Sequence, residues 1–175
     1  MTGGIVHGMF TGGYAYSPEI ISISVDSMAT DLDEVRGDLR ATVFHEAYHL
    51  AHNYTSQTGP FTLLETALQE GAATRFEIQY ANARSKDLFG NYQQHSVAQL
   101  HEWLSIIKKV GNARDMKKGE YASVAFYDKA DDTRWKLYKT GTWLIDEYLA
   151  EHKLDIKDLT NDDIKELINA HNDKV

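Results

Sequence analysis

The feature that most restricts the fold of this chain is a pair of histidines four residues apart. His45 and His49 belong to an H-E-x-x-H motif, and the apolar residues on both sides of it favour a helix. Residues four apart lie on one face of an α-helix, separated by about 6 Å along its axis. Both imidazoles can therefore bind one metal ion, and two neutral nitrogen donors suit Zn²⁺.

Glu46 has a different position relative to the expected metal. It lies roughly 100° around the helix from His45, so it is not an equivalent third ligand. Its carboxylate can reach a water beside the metal and accept a proton from it as a general base. The chain has 8 His among 175 residues, so such a motif would seldom arise by chance, and its meaning depends on finding the rest of a site.

A third ligand is expected on the next helix. Glu70 borders an apolar stripe spaced by four residues, and the small residues 71–73 that follow it would allow a close approach to the motif helix. Glu65 and Glu77 are alternatives on the same helix, and His52 is an alternative on the motif helix. We favour His45, His49 and Glu70 as the zinc ligands.

A strand is predicted immediately before the motif helix. Residues 20–26 alternate apolar and polar side chains with a period of two, as in a half-buried strand. An exposed strand edge can hold an extended peptide through main-chain hydrogen bonds. Ile21, Ser22, Ile23 and Ser24 are therefore the candidate substrate-binding residues. The glycine-rich residues 1–16 are interpreted as loop or weak strand.

The remaining pattern is mainly helical. Helices are predicted over residues 33–53, 62–83, 93–110 and 133–152, with a last helix after Thr160. Residues 111–119 are predicted to form a polar loop, and residues 120–127 to form a strand or an irregular segment. The fold class is therefore α+β, mainly helical, in a single domain of residues 1–175 with about five helices and a small N-terminal sheet or edge strand.

Composition limits the partners. A formal net charge of −8 argues against nucleic acid or an anionic membrane as a partner. No segment is apolar enough to span a bilayer and no signal peptide is visible, so a cytoplasmic location is expected, with secretion or export left open. The absence of cysteine excludes a disulfide framework and a thiolate zinc site. The sequence does not indicate an oligomeric state.

Several segments together resemble a known family. The motif helix is followed by Glu70-Gly71-Ala72-Ala73, which is similar to the glutamate-zincin (gluzincin-like) arrangement with its third ligand on the next helix. With Tyr138-Lys139-Thr140-Gly141 and the tail Leu159–Ile164, the sequence resembles the predicted Zn-dependent protease family, domain of unknown function 2268, over roughly residues 17–170.

The resemblance implies a zincin-like zinc metallopeptidase that hydrolyses a peptide or protein substrate. It makes Tyr138 the first candidate for stabilising an oxyanion, with Tyr127 and Tyr121 behind it. Two alternatives stay open, a metal-binding zincin-like protein without activity and a regulatory metallopeptidase with one protein partner. The retained Glu46 favours an enzyme, because a purely structural zinc site does not need it.

Overall fold

The computed structural model describes residues 4–59, 61–109 and 118–172. In chain order the described elements are β1 (Thr11–Ser17), β2 (Ile20–Val25), α1 (Leu32–Ala51), α2 (Leu63–Ala81), α3 (Val97–Lys109), α4 (Lys118–Ala125), β3 (Tyr127–Asp128), β4 (Thr133–Arg134), α5 (Lys136–His152) and α6 (Asn161–Asn172). Short 3-10 helices cover Arg84–Asp87 and Ile156–Asp158. The predicted α+β class with mainly helical content is confirmed.

Local side-chain chemistry sets the starts of the two helices that carry the motif and the expected third ligand. Asp31 caps α1 by accepting hydrogen bonds from the backbone N–H groups of Asp33 and Glu34. Thr62 and Glu65 form a reciprocal capping box at the start of α2. Both helices therefore begin within about a residue of the predicted starts.

Two segments differ from the sequence prediction. Residues 118–125 form helix α4, where a strand or irregular segment was expected, and Val124 and Ala125 bury their side chains. Thr133 and Arg134, predicted to begin a helix, instead form strand β4, and α5 begins at Lys136. Of the glycine-rich residues interpreted as loop or weak strand, Thr11–Ser17 form β1, which pairs antiparallel with β2 and has an irregularity between Ala15 and Ser17. Pro60 and most of the predicted loop over residues 111–119 lie outside the described residues.

The β1–β2 hairpin is fixed to α1 by buried polar contacts. Asp38 of α1 is almost fully buried, accepts a hydrogen bond from the backbone N–H of Phe10, and forms a two-point ion pair with Arg84. The hydroxyls of Thr11 and Thr42 are 2.8 Å apart and buried. These contacts hold β1 against the helix that carries the motif.

The main core lies between α2, α3, α5 and α6. Its fully buried side chains include Leu63, Leu68, Ile107, Leu137 and Ile145. A second, smaller cluster joins the loop before β1 to α1, the end of α2 and the start of α5; it contains Met9, Ala41, Ala81, Ala83, Phe89 and Trp135. In the part of the chain that the structure describes, no helix is both long and apolar enough to cross a bilayer.

Candidate metal centre

Three side chains from two adjacent helices converge at one point. His45 and His49 come from α1 and Glu70 from α2, and their potential ligand atoms all lie within 4.8 Å of one another. Glu70 Oε2 is 3.1 Å from Nε2 of His45 and 3.6 Å from Nε2 of His49. The site is nearly enclosed, because the side chains of His45, His49 and Glu70 are only 11%, 5% and 16% exposed.

The donor set fits a zinc ion. Ligand distances near 2.0–2.2 Å in a tetrahedron put neighbouring donor atoms about 3.3 Å apart. The two observed Glu70–histidine separations lie on either side of that value. Two imidazoles and one carboxylate are a donor set found in catalytic zinc sites, which leave a fourth position for water or substrate.

Burial and mutual contact shift the pKa values of His45 and Glu70 in this cluster. Burial lowers the pKa of His45, but its hydrogen bonds to Glu70 and Glu77 outweigh that effect and leave the pKa well above its usual value. Burial raises the pKa of Glu70, but the neighbouring charge of His49 and hydrogen bonds from both histidines leave it well below the usual range. Glu70 is therefore held as a carboxylate, the form that binds a metal.

Glu46 faces the cluster without joining it. It is buried, and burial is the main reason that its pKa is raised above the ordinary value for glutamate. Its Oε2 atom has no hydrogen-bond partner among the described residues. A carboxyl group with a raised pKa and an uncommitted oxygen is suited to accepting and returning a proton.

The predicted alternative ligands have other contacts. Glu65 belongs to the capping box of α2. His52 stacks on Tyr48, with ring centroids 4.1 Å apart, and hydrogen-bonds Asn161 of α6. Glu77 does reach the cluster, but through the far side of His45, with its Oε2 3.6 Å from Nδ1. A carboxylate seven residues after Glu70 lies on nearly the same helix face, and that spacing was the available sequence signal.

Three tyrosines respond to the charge of the metal cluster. The negative charge of Glu70 raises the pKa of Tyr54, Tyr121 and Tyr138, in each case after the larger effect of burial. Tyr138 also experiences the charge of Glu46. Within the described residues its hydroxyl has no hydrogen-bond partner. Sequence reasoning missed Tyr54, whose ring packs against His49 with centroids 5.0 Å apart.

The third tyrosine candidate lies elsewhere. Tyr127 belongs to the β3–β4 hairpin, where its hydroxyl donates a hydrogen bond to Asp132 and its ring packs against Arg134. This exposed hydroxyl is already used within the hairpin. Of the three predicted candidates, Tyr138 and Tyr121 are the two whose pKa is raised by the charge of Glu70.

The hairpin contacts the motif through β1. A Cβ added at Gly13 would lie 2.7 Å from Cγ of Glu46 and 2.6 Å from Cγ2 of Thr42, so only glycine leaves room for the Glu46 side chain. The predicted substrate residues 21–24 lie on β2, which pairs with β1. On the edge of β1 that faces away from β2, the carbonyls of Thr11 and Ala15 accept hydrogen bonds from Val6 and Ser56. Gly13 lies between them.

The chain was compared with families of known proteins, with curated proteins and with solved structures. The sequence model of a family described as predicted Zn-dependent protease (DUF2268) matches residues 6–169. That range contains the whole candidate site, from Gly13 to Tyr138. No curated protein matches the chain significantly, and no solved structure does so either.

Proposed function

The chain belongs to the predicted Zn-dependent protease family (DUF2268), and from that premise we propose that it is a zinc-dependent peptidase. The observation that carries the proposal is the convergence of His45, His49 and Glu70, with ligand atoms within 4.8 Å, beside the buried carboxyl of Glu46. A structural zinc site needs only ligands. A carboxyl group with a raised pKa beside them suits hydrolysis.

His45, His49 and Glu70 would hold the zinc ion, which when bound supplies a Lewis acid and lowers the pKa of the attacking water. Glu46 accepts a proton from that water on its carboxylate as the water attacks the scissile carbonyl. Glu46 then donates the proton to the departing amine, so the side chain returns to its starting state. The nearly enclosed cluster limits water around these groups, which strengthens their electrostatic interactions.

Tyr138 is proposed to donate a hydrogen bond to the oxyanion of the tetrahedral intermediate. Support comes from its electrostatic coupling to both Glu70 and Glu46, and from a hydroxyl without a partner among the described residues. A donor aimed at a developing negative charge stabilises the transition state more than the substrate. Tyr121 is the second candidate. Its pKa is raised by the charge of Glu70, and Glu46 is not among the causes of its shift.

The substrate main chain is proposed to lie along the β1–β2 hairpin. Residues 21–24 of β2 are proposed to bind substrate because their sequence pattern predicts a strand edge that can pair with a peptide. Gly13 of β1 is added, because it is the hairpin residue against which Glu46 packs. A main-chain contact at Gly13 would bring an extended peptide close to the proposed general base.

The test combines metal analysis with cleavage of a peptide library by wild type and Glu46→Gln. We expect about one zinc per chain in both proteins and cleavage by wild type alone. Glu34→Gln, in the first turn of the same helix, is the matched control and should cleave like wild type. No zinc after reconstitution would overturn the proposal.

Two other outcomes distinguish the alternatives. Stoichiometric zinc with no cleavage of the library or of unfolded proteins would favour a metal-binding protein without activity. Cleavage confined to one protein, and lost in Glu46→Gln, would favour a regulatory peptidase.

A further inference from the structure

The two ring nitrogens of His45 face two different carboxylates of α2. Nε2 lies 3.1 Å from Oε2 of Glu70, and Nδ1 lies 3.6 Å from Oε2 of Glu77. Glu77 follows Glu70 by about two helical turns, so both side chains project from nearly the same face of α2. The imidazole is thus held between a proposed ligand and a second acid from the same helix.

We propose that Glu77 is a positioning residue that fixes the ring orientation of His45. Its carboxylate lies on the Nδ1 side, where it can accept the Nδ1–H hydrogen bond, and this leaves Nε2, the atom that faces Glu70, directed at the metal position. The inference rests on the proposed function only to the extent that His45 binds a metal. It requires no peptide cleavage.

The surroundings of Glu77 leave His45 as its main partner. The side chain is 2% exposed, and no Lys or Arg among the described residues forms an ion pair with it. Its second oxygen, Oε1, is buried and has no hydrogen-bond partner in the described part of the chain. Burying a carboxylate without a cationic partner is energetically unfavourable. A glutamate at this buried position is therefore explained by its contact with His45, which an apolar residue could not make.

His49, the second histidine of the motif, has no carboxylate beside its Nδ1 atom among the described residues. Nδ1 of His49 is buried and has no hydrogen-bond partner among the described residues, and its ring packs against Tyr54. Orientation through an outer carboxylate is therefore specific to His45. Replacing Glu77 should disturb one ligand and leave the other two in place.

The decisive measurement is the zinc dissociation constant, obtained by chelator competition at one pH. Outer partners of ligating histidines typically contribute 10–100-fold to metal affinity. We therefore expect Glu77→Ala to bind zinc about 10–100-fold more weakly than wild type. Glu77→Gln retains a neutral acceptor for Nδ1 and should lose less, roughly 10-fold. Glu65→Gln, the same substitution at the cap of α2, is the matched control and should bind like wild type.

A spectroscopic measurement on the zinc-loaded protein separates positioning from general destabilisation. In ¹H–¹⁵N spectra of wild type, the Nδ1–H proton of His45 should resonate downfield because it is hydrogen-bonded to Glu77, and in Glu77→Ala it should shift upfield. Unchanged zinc affinity or an unchanged Nδ1–H signal in Glu77→Ala would overturn the proposal. If that variant does not fold, an unchanged zinc affinity in Glu77→Gln would overturn it equally.

This test is independent of catalysis. Failure of wild type to cleave any peptide would count against the proposed function, while the zinc affinities would still decide the role of Glu77. Loss of affinity in Glu77→Ala without any peptidase activity would support the positioning role at a site that only binds metal.

Discussion

Gly71 of α2 and Gly141 of α5 meet at the point where the two helices come closest. A Cβ added at Gly71 would overlap the backbone of Gly141 and Thr142, and one added at Gly141 would overlap the carbonyl of Ala67. Gly71 therefore allows α2 to approach α5. The sequence reasoning assigned the small residues 71–73 to an approach between α2 and α1, and the contact with α5 is an additional role for Gly71.

Gly71→Ala should destabilise the protein. The added methyl group cannot be placed without moving α2 away from α5, and such overpacking typically costs about 1–3 kcal/mol. Gly37→Ala is the matched control, because it also lies inside a helix but its Cβ would meet no atom within 4 Å. That control should gain about 0.5–1 kcal/mol from helix propensity. Thermal unfolding of both variants measures the contrast, and equal stabilities would contradict it.

Much of the architecture follows from local patterns. The apolar periodicity predicts α1, α2, α3 and α5, and the alternation of Ile and Ser predicts β2. The helix α4 could not be recognised, because its amphipathic pattern is weak and its burial depends on distant partners. Strand β1 was obscured by Gly12 and Gly13, which disfavour a strand locally but are required by contacts with residues far along the chain.

The candidate site also has a part that local sequence patterns predict and a part that depends on tertiary packing. The His45–His49 spacing follows from helix geometry, and α2 brings Glu70 to both histidines. Contacts of Gly13 and Tyr54 depend on how the hairpin and the loop after α1 fold back onto the site, which no local pattern encodes. Tyr138 was suggested mainly by family resemblance, because α5 lies far along the chain from the motif helix and no local pattern joins the two.

Glu70→Gln should release zinc. Loss of an outer partner alone typically weakens binding by 10–100-fold, so replacing a direct ligand by a neutral amide should weaken it by more than about 100-fold. Chelator competition measures the change, with Glu65→Gln as the control on the same helix. If Glu70→Gln retains zinc as tightly as wild type, another residue must be the third ligand.

Tyr138→Phe should lower kcat and leave zinc content and KM nearly unchanged. Removing a single oxyanion donor typically costs about 10²–10³-fold in kcat. Steady-state kinetics on a cleaved library peptide measures the effect. Tyr127→Phe removes an exposed hydroxyl that bonds Asp132 in the β3–β4 hairpin, and it should behave like wild type. A full kcat in Tyr138→Phe would transfer the proposed role to Tyr121.

Lys139→Met should stabilise the protein at pH 7. Lys139 is buried, its amino group is 3.0 Å from Nε2 of His95, and burial lowers its pKa. Because the folded state disfavours the charged amine, the penalty is fully present below the folded pKa and disappears above the unfolded pKa. Replacement should raise the melting temperature by about 2–4 °C, or roughly 1 kcal/mol for a chain of this size.

The advantage of Lys139→Met should shrink when melting is repeated near pH 10, where the amine loses its proton more easily. Lys136→Met is the opposite case, because Lys136 is buried but paired with Asp128 and Asp131. Its removal should lower the melting temperature at pH 7. Stabilisation of both variants at pH 7 would contradict the distinction between a buried lysine paired with carboxylates and one whose amino group contacts a histidine.

Gly13→Ala should separate zinc binding from catalysis. The new methyl group would lie 2.8 Å from Oε1 and 2.7 Å from Cγ of Glu46, so the Glu46 side chain must move. The three atoms nearest to this methyl group belong to Thr42 and Glu46 and not to the proposed ligands, so zinc affinity should change little. Because displacement of a catalytic group by about 1 Å can cost about 10²-fold in rate, kcat should fall by that order. Zinc affinity and kcat measured on one preparation test this, and equal loss of both would show that Gly13 supports the metal site itself.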